Sequence, residues 1–210
     1  MTDEIAFADV LNHYRHRIKE EREWLESLPP EQRMGHLDQM LLEVGEEAAK
    51  LLVDLIVGAG AKTIVELGTC FGYSTLFLAS AAKQTGGRVY TYELAAEKQA
   101  YAKERLVEAG LADHVDWCLG DAVALLEEQP GPVDFVFIDL WKDLYIPCFE
   151  ILYPHLADGA IVVADNMLFP EQSLPDAAAY RAAVRAKPDM EAVLLDIGNG
   201  LDIGCKKHSP

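Results

Sequence analysis

Basic charge is scarce in this sequence. Lysine and arginine total 18 against 35 aspartates and glutamates, a formal net charge of −17 over 210 residues. So acidic a chain lacks the basic footprint that nucleic-acid phosphates require, and it is disfavoured at anionic membrane surfaces. The same field gives little help to a strongly anionic substrate, and its plainest use is solubility. Cysteine is sparse too. Cys70, Cys118, Cys148 and Cys205 form no Cys-x-x-Cys pair, and three of them lie in apolar segments. That is the usage of a reducing compartment, with cysteine as a small core residue. No apolar run approaches a membrane span. The opening residues, Met1-Thr2-Asp3-Glu4-Ile5, hold no basic region followed by an apolar stretch, so no secretory signal is expected and the cytoplasm is the expected location. Internal repeats, linkers and low-complexity segments are missing as well.

What is present is an ordinary globular composition, with half the residues hydrophobic and a quarter charged. The length suits one domain over residues 1–210, with helices in 1–58 and an alternating core in 59–210. Amphipathic spacing predicts a helix over residues 3–27, with Asp3 as N-cap and Pro29-Pro30 as its end, and a second helix over about 37–57. His13 and His16 are spaced i, i+3 on the first helix, but no further metal ligand stands near them in sequence. Strands follow near 63–67, 88–93, 115–119, 135–139 and 160–164, and helices near 73–83, 95–109, 121–128, 145–153 and 176–186. Two closing runs, 192–196 and 201–204, flank Gly198-Asn199-Gly200, which contains an Asn-Gly hairpin signal. The predicted fold is α/β and Rossmann-like: a mostly parallel sheet covered on both faces, with N-terminal helices and a C-terminal antiparallel hairpin.

The stretch Val65-Glu66-Leu67-Gly68-Thr69-Cys70-Phe71-Gly72-Tyr73-Ser74 reads as strand, glycine turn and helix start. Small ligands sit at such strand ends in open parallel sheets. The spacing is neither Gly-x-Gly-x-x-Gly nor Gly-x-x-x-x-Gly-Lys-Ser/Thr, so both common phosphate cradles are missing. An acid, Glu66, stands before the first glycine instead. It would repel a pyrophosphate and attract the ammonium and sulfonium charge of S-adenosylmethionine. Cys70, inside this loop, is either a modifiable thiol or simply a small loop residue. Glu93 ends the second strand, about 20 residues past the glycines, where an acid accepts both hydroxyls of a ribose. Asp121 follows the third strand and reads either as an acceptor for the adenine amine or as the N-cap of the next helix.

At the ends of the fourth and fifth strands stand Asp139-Leu140-Trp141-Lys142 and Asp165-Asn166. Two carboxylates and an amide at neighbouring strand ends form a set of hard oxygen donors. Such a set suits magnesium or calcium rather than zinc, with positions left for substrate oxygens.

Glu-x-Gly-x-x-x-Gly resembles the first motif of class I S-adenosylmethionine-dependent methyltransferases. Asp-x-Trp-Lys together with Ala-Asp-Asn resembles the metal-dependent O-methyltransferases of the catechol and caffeoyl-coenzyme A type. The likeness covers about residues 40–170 and, more weakly, the hairpin. It implies S-adenosylmethionine as cofactor and a divalent cation, magnesium or another such as calcium or manganese, held by Asp139, Asp165 and Asn166. Carried over by position, Lys142 is the general base and Asp139 shares the catalytic centre. Val44, Glu66, Gly68, Tyr73, Ser74, Glu93, Asp121, Ala122, Asp139 and Trp141 match cofactor positions. Met40, Leu42, Trp141, Lys142, Asn166 and Pro170 match substrate positions. A lysine ordinarily titrates at about 10.4, so a base role requires that its charged form be disfavoured, as a nearby metal ion would do.

The sequence departs from the family pattern in two places. Leu140 stands where the animal enzyme has a polar residue near adenine. The acid that orients the second catechol hydroxyl has no secure match, Val193 being the positional equivalent and Glu191 requiring a shift. The resemblance implies a small catechol-type acceptor and suggests a homodimer through the N-terminal helices, while the acidic charge argues against a nucleic-acid or membrane partner. Alternatives are a methyltransferase for a larger phenylpropanoid or natural-product acceptor, a non-catalytic adenosylmethionine-binding protein, and a dinucleotide oxidoreductase. The last is opposed by Glu66 and by the missing Gly-x-Gly-x-x-Gly.

Overall fold

The computed structural model describes residues 3–129 and 131–208. Seven strands form one sheet: β1 (Thr63–Leu67), β2 (Arg88–Glu93), β3 (Val115–Leu119), β4 (Val133–Ile138), β5 (Leu156–Ala164), β6 (Met190–Leu195) and β7 (Leu201–Lys206). Their spatial order is β3-β2-β1-β4-β5-β7-β6. The pairs among β1 to β5 are parallel, and β7 runs antiparallel to both β5 and β6. The order reverses between β1 and β4, which opens a crevice outside their carboxyl ends.

Eight α-helices accompany the sheet among the described residues: α1 (Asp3–Ser27), α2 (Pro30–Arg33), α3 (Glu46–Ala59), α4 (Tyr73–Thr85), α5 (Ala96–Glu108), α6 (Ala122–Leu126), α7 (Tyr145–Leu152) and α8 (Leu174–Arg185). Alternation along the strands divides the core in two. Phe135 and Phe137 of β4 face the layer built with α1, α3 and α4, which includes Tyr14, Leu52 and Leu76. Val136 and Ile138 face the layer built with α7 and α8, which includes Phe149 and Tyr180. Successive side chains point to opposite faces of a strand, so a strand buried on both sides reads as a continuous apolar run.

The largest departure from expectation is the second helix. It starts at Glu46 rather than near 37, and 34–39 form a 3-10 segment. Gly45 at φ 87° and Leu42 at φ 48° both lie in the left-handed region, which a helix cannot contain. Met40, Leu42 and Val44 therefore stand in a loop, not on a helix face. β5 begins at Leu156, earlier than read, and the sheet continues through Lys206. The side chain of Asp3, expected as a cap, lies outside what the structure describes. No helix among the described residues is long and apolar enough to cross a membrane.

Candidate active site

The parallel register brings the sequence-predicted strand ends together. Leu67 pairs with Ile138 and Ile138 with Ala164, so Gly68, Asp139 and Asp165 are successive neighbours across the crevice. Backbone bonds continue past the strands: Asp139 N–H donates to Leu67 O at 2.9 Å, and Asp165 N–H to Ile138 O at 3.0 Å. Gly68 is required by close approach. A Cβ there would lie 2.2 Å from the Asp139 carbonyl oxygen.

Asp165 is buried, and its Oδ1 has no hydrogen-bond partner among the described residues. Its Oδ2 accepts from Asn166 Nδ2 at 3.2 Å. Burial, and then repulsion from Asp139, pushes the Asp165 carboxyl up to about 8. Burial also raises Asp139, to about 6, against the pull of Lys142. Burial thus disfavours both acids as anions, and Asp165 keeps an orphan oxygen that a bound cation would satisfy. Asn166 completes the oxygen set, at φ 55° in the left-handed region that asparagine tolerates better than most residues. The donor chemistry fits a hard divalent ion.

Lys142 reaches over this group from a short 3-10 turn, Lys142–Leu144. Its Nζ lies 3.5 Å from Asn166 Oδ1 and donates to the Tyr145 hydroxyl. Burial lowers its pKa to about 8, against the attraction of Asp139 and Asp165. Tyr145 escaped sequence reading. Its ring is wholly buried at the start of α7, packed edge-on against Tyr180 at 5.5 Å, and its hydroxyl donates to the Asp165 carbonyl at 3.2 Å. The signal was available as the i, i+3 spacing from Lys142, but that spacing is equally that of a core tyrosine.

On the cofactor side, Glu66 is not open to the crevice. It is fully buried and accepts from Ser74 Oγ, Thr75 Oγ1 and Thr91 Oγ1, each at 2.6 Å. Burial raises its pKa to about 7, and the three hydroxyls oppose that rise. Glu93 is half-buried and braces the loop, accepting from Cys70 N–H at 2.8 Å and from Ala95 N–H at 2.9 Å. Of the two readings of Asp121, the structure displays the cap: its Oδ1 accepts from Ala124 N–H at 3.0 Å. Ala122 is buried behind it, and Tyr73 packs in the core against Tyr14 and Phe77. The four cysteines carry free thiols.

Leu42, Trp141 and Phe169 are exposed in loops at this end of the sheet, whereas Met40 is buried and Pro170 half-buried. Val193 projects from the edge strand β6, 53% exposed, and Glu191 is paired with Lys207 at 2.9 Å. Neither is among the groups gathered around Lys142.

The family model for O-methyltransferases matches residues 16–207. The chain belongs to the O-methyltransferase family. Among its relatives is a Mycobacterium tuberculosis protein named "Probable O-methyltransferase Rv1703c", 35% identical over 72% of this chain and 66% of that protein, just under two thirds of its length. A catechol O-methyltransferase of Niastella koreensis is 31% identical over 80% of this chain and 79% of its own. Among solved structures, cofactor-bound Rv0187 from MTB superposes with a TM-score of 0.76 at 25% identity, covering 96% of this chain and 91% of that one. This member of the O-methyltransferase family thus has the fold that the βαβ alternation predicted.

Proposed function

We propose that this O-methyltransferase transfers the methyl group of S-adenosylmethionine to one oxygen of a vicinal diol of the catechol class, with a divalent cation at Asp139, Asp165 and Asn166. The observation that carries the reading is the convergence of those three ligands and Lys142 beside the glycine loop, with the Asp165 Oδ1 atom buried and unpartnered. A bound magnesium ion, or calcium or manganese, would supply a Lewis acid that orients two acceptor oxygens and makes one hydroxyl more acidic.

The protein's own groups do the rest. Lys142, its pKa brought down to about 8, is partly neutral near pH 7 and takes the acceptor proton at Nζ. Tyr145 holds that amine in place. Glu93 accepts the ribose hydroxyls of the cofactor. Glu66 acts on the cofactor's ammonium group through the Ser74 hydroxyl it fixes. Trp141 and Pro170 wall the acceptor, with Met40 and Leu42 covering it. Holding acceptor oxygen and methyl carbon in line accounts for most of the acceleration. The exposure of Leu42, Trp141 and Phe169 favours an acceptor with a bulky apolar tail over a bare catechol.

The test is an acceptor screen with labelled S-adenosylmethionine and magnesium, read by mass spectrometry, alongside calorimetry of cofactor binding. Chelation should abolish transfer, and magnesium should restore it. Full transfer in excess chelator would sink the metal-dependent reading, and a wild-type protein that does not bind S-adenosylmethionine would sink the whole of it.

A further inference from the structure

Helix α1 passes behind two loops at the carboxyl end of β1. One is the glycine loop, 68–72, and the other is 40–45, which carries Met40, Leu42 and Val44. Tyr14, wholly buried, donates its hydroxyl to Phe71 O at 2.7 Å. One turn on, the Arg17 guanidinium lies 3.8 Å from the centroid of the Phe71 ring and 4.7 Å from that of Tyr101. The same guanidinium donates from Nε to Glu21 Oε1 at 2.6 Å. The other oxygen of Glu21 accepts the Leu41 N–H at 2.7 Å. The Leu41 carbonyl, in turn, accepts from Cys70 Sγ at 3.2 Å. One residue of the acceptor-side loop, Leu41, is thus held at its N–H by α1 and at its C=O by the glycine loop.

We propose that Arg17 and Glu21 are positioning residues that couple occupancy of the glycine loop to the conformation of loop 40–45. A carboxylate is planar. Fixing one oxygen with a guanidinium seated on Phe71 aims the other oxygen at Leu41. Both side chains are only 19% exposed, so the pair is shielded more than a surface ion pair. The outer pair Arg22–Glu43, at 67% and 24% exposure, lacks that protection. Leu42, next to the held residue, sits at φ 48°, which a leucine adopts only when its surroundings impose it. A cofactor that presses on Phe71 moves the guanidinium, the carboxylate and the Leu41 peptide together, and the coupling is reciprocal. The inference rests on the cofactor assignment proposed above.

Hydrogen exchange of the full chain, read by mass spectrometry with and without S-adenosylmethionine, tests it. In the wild type the cofactor should slow exchange in both 68–72 and 40–45. In Glu21→Ala it should slow 68–72 alone, with cofactor affinity down about five-fold or more. Arg17→Met should behave alike, and the double variant should be no worse than either single one. Undiminished protection of 40–45 in Glu21→Ala, or losses that simply add, overturns the coupling. Should Glu21→Ala fail to fold, Glu21→Gln decides: its amide keeps the Leu41 contact but lacks the charge toward Arg17, so protection of 40–45 must fall, and unchanged protection overturns the link. A wild-type protein that does not bind S-adenosylmethionine would instead break the functional reading. The link is then read in the ligand-free chain. There Arg17→Met must speed exchange in 40–45, although its guanidinium bonds to Glu21 rather than to the loop, and unchanged exchange overturns it.

Discussion

Glu66 and Asp165 both lie at the carboxyl ends of parallel strands, fully buried, and burial pushes both up, to about 7 and about 8. Their partners separate them. Three hydroxyls from α4 and β2 satisfy Glu66, while Asp165 has one oxygen unpartnered among the described residues and a second acid beside it. A perturbed pKa alone therefore does not tell a brace from a ligand. The count of hydrogen bonds does.

The contrast breaks most sharply at Asp165. Asp165→Asn replaces a buried acid that has no full set of partners, so turnover should vanish while the thermal midpoint holds or rises. Added magnesium should raise the midpoint of the wild type and leave that of the variant unmoved. A variant that melts far lower would make Asp165 a structural acid like Glu66. Next in size is Lys142→Ala, which should lower kcat by about 10²–10⁴ with cofactor affinity kept. Higher pH should partly rescue it, since the acceptor then ionises unaided. Coincident pH–rate curves for wild type and variant would show that Lys142 is not the base.

Glu66 sharpens the comparison from the other side. Glu66→Ala strands three buried hydroxyls and should cost about 1–3 kcal/mol or more, measured by urea unfolding. Glu66→Gln should cost less and should also remove a pH slope. The folded-state pKa is raised from 4.5 to about 7, so the native state binds the extra proton. That contribution is whole below pH 4.5 and is lost as pH rises through about 7, so wild-type stability should fall across this window. An equal slope in Glu66→Gln would assign it elsewhere. The smallest effect belongs to Asp121→Ala, about 1 kcal/mol for a lost cap, with unchanged cofactor affinity if the cap is its whole role.

The alternation of strand and helix was legible because buried strands and amphipathic helices differ in period. Asp139, Lys142, Asp165 and Asn166 were legible because short-range spacing fixed them to strand ends. The 40–45 loop was not. Its apolar residues carry helical spacing, and only the left-handed backbone at Leu42 and Gly45 breaks the helix. Nor was Tyr145, whose role depends on where a hydroxyl lands across α7 and β5. The three-hydroxyl cage around Glu66 joins residues up to 25 apart, a proximity no local pattern encodes.

The strand β7 has a consequence for the order in which the site can be built. It follows every residue of the proposed metal set in the chain, yet it inserts between β5 and β6. The turn before it carries the acceptors for the segment just beyond Asn166: Met167 N–H donates to Gly200 O at 3.0 Å, and Leu168 N–H to Asn199 O at 2.8 Å. During synthesis the ligand-bearing end of β5 must therefore wait, one edge open, until some forty residues further on have emerged. A nascent chain halted before Asn199 has every residue of the proposed metal set and Lys142, but lacks the carbonyls that accept from Met167 and Leu168 and the strand that closes the edge of β5.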